Sequence, residues 1–154
     1  MDFHGTLLVV SHMEKSKQFY QEILNLQVVM DFGANVTLTG GISLQTQESW
    51  ISFIGVKKED LCFGNNTTEL YFEEEDFDAF LEKLEAKKVH LVHPVLEHRW
   101  GQRVIRFYDP DQHMIEVGER MRDVCLRFLR GSLTMEEISL RMEIPLELVK
   151  ELLQ

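Results

Sequence analysis

Within the first 118 residues the same order of elements is read twice: strand, helix, then three strands. Such a repeat constrains the fold more than any single motif, because each copy is one supersecondary unit that must bury an apolar face. In the first copy, residues 3–10 read as a buried strand. Residues 11–27 follow helical spacing, with Phe19, Tyr20, Ile23, Leu24 and Leu26 as the apolar stripe and Ser11 as a candidate N-cap. Short strands are predicted at 28–31, 35–39 and 42–45, separated by Gly33, Gly40 and Gly41. Residues 48–58 are ambiguous: Trp50-Ile51-Ser52-Phe53-Ile54 reads equally well as a strand or a packed loop. Gly64-Asn65-Asn66-Thr67 is loop chemistry at the midpoint. The second copy then runs as a strand at 69–73, a helix at 76–88 with Phe77, Phe80, Leu81 and Leu84 inward, a strand at 89–96, and a hairpin.

The hairpin, residues 100–118, carries the chemistry. Residues 104–108 are β-branched and aromatic, and residues 114–117 are apolar around one acid. Between them Asp109-Pro110-Asp111-Gln112 is turn chemistry, with proline presetting φ and the aspartates able to accept from nearby amides. Glu116 stands out, since a carboxylate among Met114, Ile115 and Val117 must face solvent or a polar cavity. The pattern D-P-D-x-x-x-x-E on a hairpin, together with the repeat, resembles the vicinal oxygen chelate superfamily, which includes glyoxalase I, bleomycin- and fosfomycin-resistance proteins and extradiol dioxygenases. Gln112 stands where that family usually has glycine.

The resemblance covers residues 3–118 and implies an α+β fold: two βαβββ modules forming a curved mixed β-sheet around a cleft, with modules at about 3–54 and 66–118. It also implies metal ligands on the first and last strand of each module, usually His, Glu, His and Glu. Carried over by position these fall on Gly5, Gln45, Glu69 and Glu116. A one-residue slip in the first strand would bring in His4 instead. The implied metal set is thus Gln45, Glu69 and Glu116, with Glu116 also the catalytic candidate, and the implied cofactor a divalent ion (Mn, Mg, Zn, Ni or Fe). Two carboxylates and an amide without imidazole are a weak donor set for the later transition metals, which moves weight from metal chemistry toward binding alone. Strand parity turns Tyr71, Gln102, Arg106, Tyr108 and Met114 to the same side as Glu116, with Trp100 at the mouth, as ligand-binding candidates. The six histidines read as surface or satisfied structural residues. His90 and His93 do not share a strand face and so make no metal pair.

Residues 119–154 lie beyond the resemblance and read as a C-terminal helical extension. A helix at 120–130 ends at Gly131, Thr134 and Glu137 have capping-box spacing, and Pro145 opens a last helix. This segment looks like a helix-turn-helix, but its seven acids outnumber its six bases, so it lacks the positive surface that DNA requires. The net charge of −10 disfavours nucleic acid and anionic membranes as partners for the whole chain. No apolar run has membrane-spanning length, and two separated cysteines, Cys62 and Cys125, suit reduced thiols, so a cytoplasmic protein is expected. Three functions stay open: a metal-free small-molecule-binding protein, a divalent-metal-dependent lyase, isomerase or dioxygenase, and a ligand-sensing regulator that uses its C-terminal helices. A homodimer is expected, because pairing would cover free strand edges.

Overall fold

Alternation of Leu8 and Val10 with Leu7 and Val9 makes β1 (Thr6–Val10) a strand with one buried face. A computed structural model describes all residues, 1–154, and divides them into two compact units, Met1–Thr68 with Tyr108–Met114 and Glu69–Phe107 with Ile115–Gln154. The eight strands form two separately hydrogen-bonded four-stranded sheets, and the two βαβββ modules read from the sequence are present.

In the first unit β1 is followed by α1 (Met13–Leu24), β2 (Val28–Asp31), β3 (Asn35–Leu38), β4 (Ile42–Thr46) and α2 (Gln47–Ile54). The sheet order is β1-β4-β3-β2, with β1 parallel to β4 and the other pairs antiparallel. Leu8, Val10, Val36, Leu38, Ile42 and Leu44 are buried, as are Tyr20 and Ile23 of α1. The turn at 109–113 belongs to this unit and gathers its buried polar groups. Tyr20 donates to Asp109 at 2.9 Å, while the amides of Asp111 and His113 donate to the other Asp109 oxygen. Burial, followed by the charge of Asp109, holds the Tyr20 phenol well above its ordinary pKa.

Two local expectations are corrected here. Ser11 does not cap α1. His12 holds that position without a side-chain bond, and Ser11 donates from both its amide and its hydroxyl to Asp111. Residues 47–54 are neither strand nor loop but helix. The Ser49 hydroxyl meets the Thr46 hydroxyl and carbonyl at 2.7 and 3.0 Å, and Gly55 closes the C-terminus in the left-handed region. These local bonds outweigh the β-propensity of Ile51 and Phe53.

The second unit contains β5 (Glu69–Glu74), α3 (Phe77–Ala86), β6 (Leu91–Glu97), β7 (Arg103–Tyr108, its last residue in the first unit) and β8 (Met114–Glu119, its first residue in the first unit), in the sheet order β5-β8-β7-β6. Asp76 caps α3 by accepting from the Ala79 amide. Phe77, Phe80 and Leu84 of α3 are buried, as are Ile105, Phe107, Ile115 and Val117 of the sheet, and the Phe80 and Phe107 rings lie 6.0 Å apart. The extension folds as α4 (Met121–Arg130), α5 (Met135–Met142) and α6 (Leu146–Leu152) around Val124, Cys125, Ile138, Met142 and Val149. The Thr134–Glu137 capping box forms as its spacing predicts.

Glu119 fixes this extension to the sheet. Its carboxylate is 3% exposed as a residue and accepts from Arg103 of β7 and Arg127 of α4, the closest contact being 2.9 Å from Arg127. Arg127 also donates to the Gly101 carbonyl, and Arg103 to Asp78 at 2.8 Å. Burial alone would raise the Glu119 pKa, but the bonds from Arg127 and Arg103 outweigh it and hold it below the ordinary value. A depressed folded-state pKa adds stability that is present above the unfolded carboxylate pKa of about 4.3 and is lost as pH falls through the folded value. Glu119→Gln is therefore expected to cost about 2–3 kcal/mol at neutral pH and to flatten the loss of stability on acidification. Urea unfolding at several pH values between neutrality and the acid transition checks this; parallel wild-type and variant curves would refute it.

Candidate functional site

A strand that carries Glu116 between Ile115 and Val117 can bury those two against a helix only by turning Glu116 to the other face. Glu116 is 5% exposed there, and what it meets is Arg106 of β7. The Arg106 Nη2 pairs with Glu116 Oε2, its Nε donates to Glu69 Oε2 of β5 at 2.9 Å, and its Nη1 lies 3.4 Å from His93 Nε2 of β6. One guanidinium thus joins side chains from all four strands of the second sheet. The cross-strand register places His93 opposite Arg106, beside irregularities on both sides in β6. His93 Nδ1 lies 2.7 Å from the Pro94 carbonyl, which can only accept, so Nδ1 carries the proton and Nε2 presents its lone pair to Arg106.

Further along the same face a second set of groups is linked by hydrogen bonds. Trp100 Nε1 donates to Gln102 Oε1 at 3.2 Å, and Gln102 Nε2 donates to the Tyr71 hydroxyl and the Glu119 carbonyl, both at 2.9 Å. Tyr71 in turn donates to Glu73 at 3.0 Å. Burial and the Glu73 carboxylate raise the Tyr71 pKa, opposed by the bond from Gln102, so the phenol stays a neutral donor. Half of Tyr71 remains exposed, and Trp100 stacks on His98 with ring centroids 4.2 Å apart. Gly118 makes room for this arrangement: a Cβ there would stand 2.7 Å from Gln102 Nε2 and 3.3 Å from the Tyr71 hydroxyl.

The remaining candidates lie elsewhere or are already engaged. Tyr108 donates to Asn66 at 2.7 Å, and Met114 is half-buried at the start of β8. Gln45 belongs to the first unit and is buried, with its oxygen accepting from Asn35 at 2.7 Å and its nitrogen donating to Ser49. Gly5 precedes β1 with φ +147°, and a Cβ there would run into the Gly41 carbonyl oxygen. His4 is exposed.

A divalent metal of the implied kind does not fit these residues as they stand. Both second-unit carboxylates are engaged by Arg106, Gln45 has both ends of its amide bonded, and Gly5 offers no donor. No three His, Cys, Asp or Glu side chains converge as a metal-holding group. The residue that the sequence reading passed over is His93. Its position opposite Arg106 depends on the register shifts in β6, where Pro94 lacks an amide to pair.

Comparison with known proteins matches a family model, described as a glyoxalase-like domain, over residues 3–122. A curated relative, the uncharacterized protein YraH of Bacillus subtilis (strain 168), is 29% identical over 117 residues, 71% of this chain and 91% of that protein. A crystal structure of a protein of unknown function from Agrobacterium tumefaciens str. C58 aligns at TM-score 0.69 and 37% identity, over 79% of this chain and 95% of its own. The fosfomycin resistance protein FosX of Listeria monocytogenes aligns at TM-score 0.62 and 19% identity, over 80% and 97%, and shares the fold.

Gly118→Ala tests the packing of the Trp100–Gln102–Tyr71 chain. The added methyl is expected to push the Gln102 amide aside, cost about 1–3 kcal/mol and shift the emission of Trp100, which loses its fixed acceptor. An unchanged melt with an unchanged emission spectrum would show that Gln102 is not held over Gly118.

Proposed function

The chain belongs to the glyoxalase-like domain family of the vicinal oxygen chelate superfamily, and from that premise we propose that it binds a small molecule on the polar face of its second sheet without using a metal. Residues 1–118 form the binding domain in this reading, and residues 119–154 are its helical extension. The observation that carries it is Arg106, which engages both Glu69 and Glu116, the two carboxylates at the family's second-module metal positions. A metal-dependent lyase, isomerase or dioxygenase would need those oxygens free to coordinate. Arg106, Glu69, Glu116 and Gln102 supply the convergent polar groups, and Tyr71 and Trp100 the aromatic surface, a mixture usual for small-molecule sites. Tyr108 and Met114 extend the same set in the sequence reading. Glu116 acts here in binding, through the guanidinium that it orients.

The helix-turn-helix-like extension supports this binding reading over that of a regulator. Its basic side chains Arg127 and Arg141 turn to Glu119 and Glu97 of the same unit, and its six bases are outnumbered by seven acids. No helix is long and apolar enough to cross a membrane. Homodimerisation belongs to the same proposal. β2 is an edge strand whose Val28, Val29 and Met30 are about half exposed, an open template that pairing would cover.

Two measurements test the reading. A thermal-shift panel of small metabolites and antibiotics, fosfomycin and bleomycin among them, is expected to contain a ligand that stabilises the wild type. Glu116→Gln should stay folded and bind it about tenfold more weakly, roughly 1.4 kcal/mol. A ligand whose affinity ignores both Glu116→Gln and Tyr71→Ala would place binding elsewhere. Sedimentation equilibrium is expected to give twice the chain mass, and a monomer would remove the dimer from the proposal.

A further inference from the structure

Three acceptors from three strands meet the three nitrogens of one guanidinium: Glu69 at Nε, His93 at Nη1 and Glu116 at Nη2 of Arg106. We propose that Glu69, His93 and Glu116 are a latent divalent-metal site in which Arg106 acts as a built-in cation and keeps metal out.

Charge is the first argument. Two carboxylates on one sheet face, one of them 5% exposed, need a positive partner. The Arg106 guanidinium supplies that charge on a side chain 23% exposed, where a metal ion would otherwise supply it. The state of His93 is the second. Nδ1 is anchored to the Pro94 carbonyl, leaving Nε2 unprotonated and aimed at the centre of the cluster. Metal-ligating histidines are held in the same way, with one ring nitrogen donating to a carbonyl so that the other keeps its lone pair for the metal. The third argument is the donor set. Without the guanidinium, one imidazole and two carboxylates remain, and this set suits Zn²⁺ or Mn²⁺ with water completing the coordination. His93 supplies the imidazole that the implied set of Gln45, Glu69 and Glu116 lacks. The donors stand a hydrogen bond away from the guanidinium, so side-chain rotation must bring them inward to reach a metal at about 2.0–2.2 Å.

The inference is independent of which small molecule the protein binds, and the probes are the metals themselves. Wild-type protein incubated with Zn²⁺ or Mn²⁺, desalted and measured by elemental analysis is expected to hold neither in stoichiometric amount. Arg106→Ala is expected to retain about one equivalent per chain, and its melting temperature should rise with metal and fall with EDTA. Adding His93→Ala to that variant should weaken binding by about tenfold or more. Arg106→Lys keeps a cation in place and should remain metal-free. Should Arg106→Ala fail to fold with and without metal, the same measurements on Arg106→Gln decide. Stoichiometric metal on the wild type that Glu116→Gln removes would overturn the proposal. So would a folded Arg106→Ala or Arg106→Gln that stays empty, metal binding that ignores His93, or an Arg106→Lys variant that takes up metal as the neutral variants do.

Discussion

A buried carboxylate is tolerated only where positive donors reach it, and the second unit is organised around meeting that condition at Glu119. The residue ends β8, and its oxygens are bonded by an arginine from the adjacent strand and another from the first helix of the extension. Because Arg127 also reaches the Gly101 carbonyl, this carboxylate sets where α4 leaves the sheet, and α5 and α6 follow from α4 through their shared core. The helices that fall outside the familiar repeat are therefore part of the same compact unit as the second sheet.

Glu116 answers the same condition on the opposite face. Arg106 and Arg103 are three residues apart on β7, and Glu116 and Glu119 are three apart on β8. Three is odd, so each strand turns one member of its pair to each side. A single hairpin register accounts for both pairs: moving three residues away from the turn on either strand leads from one pair to the other. One face uses its pair to hold a helix, and the other has its pair joined to Glu69 of β5. The same chemistry thus serves architecture on one side of the sheet and, in the proposed function, recognition on the other.

Much of this was legible in the sequence, for identifiable reasons. The repeat and the hairpin could be read because their signals are local: alternation along strands, helical spacing in α1 and α3, and turn residues at 109–112. Parity put Arg106 on the side of Glu116, the resemblance named Glu69, and the three side chains meet. Three features were hidden because they depend on partners distant in sequence or on local bonds that outweigh propensity. Ser11 was drawn from its capping role by Asp111, a hundred positions away. Helix α2 arose from a run of β-formers, with the Ser49 hydroxyl bonded back to Thr46 in its first turn and Gly55 closing its C-terminus. His93 reached Arg106 through shifts in strand register that periodicity does not encode. Gln112 adds a smaller lesson, since it adopts φ +66°, the left-handed conformation that glycine takes most readily.

The contact between Gly5 and Gly41 bears on what the first strand can carry. At position 5, where relatives in the superfamily usually place histidine, the backbone has settled so close to a neighbouring carbonyl that no side chain has room. An imidazole placed there would meet a steric block before it could meet a metal. The loop around Gly41 would have to move first, and that change alone brings no coordination chemistry with it. A ligand on the first strand is therefore conditional on the path of a loop more than thirty residues away in sequence, so position 5 and the Gly41 loop can change only together.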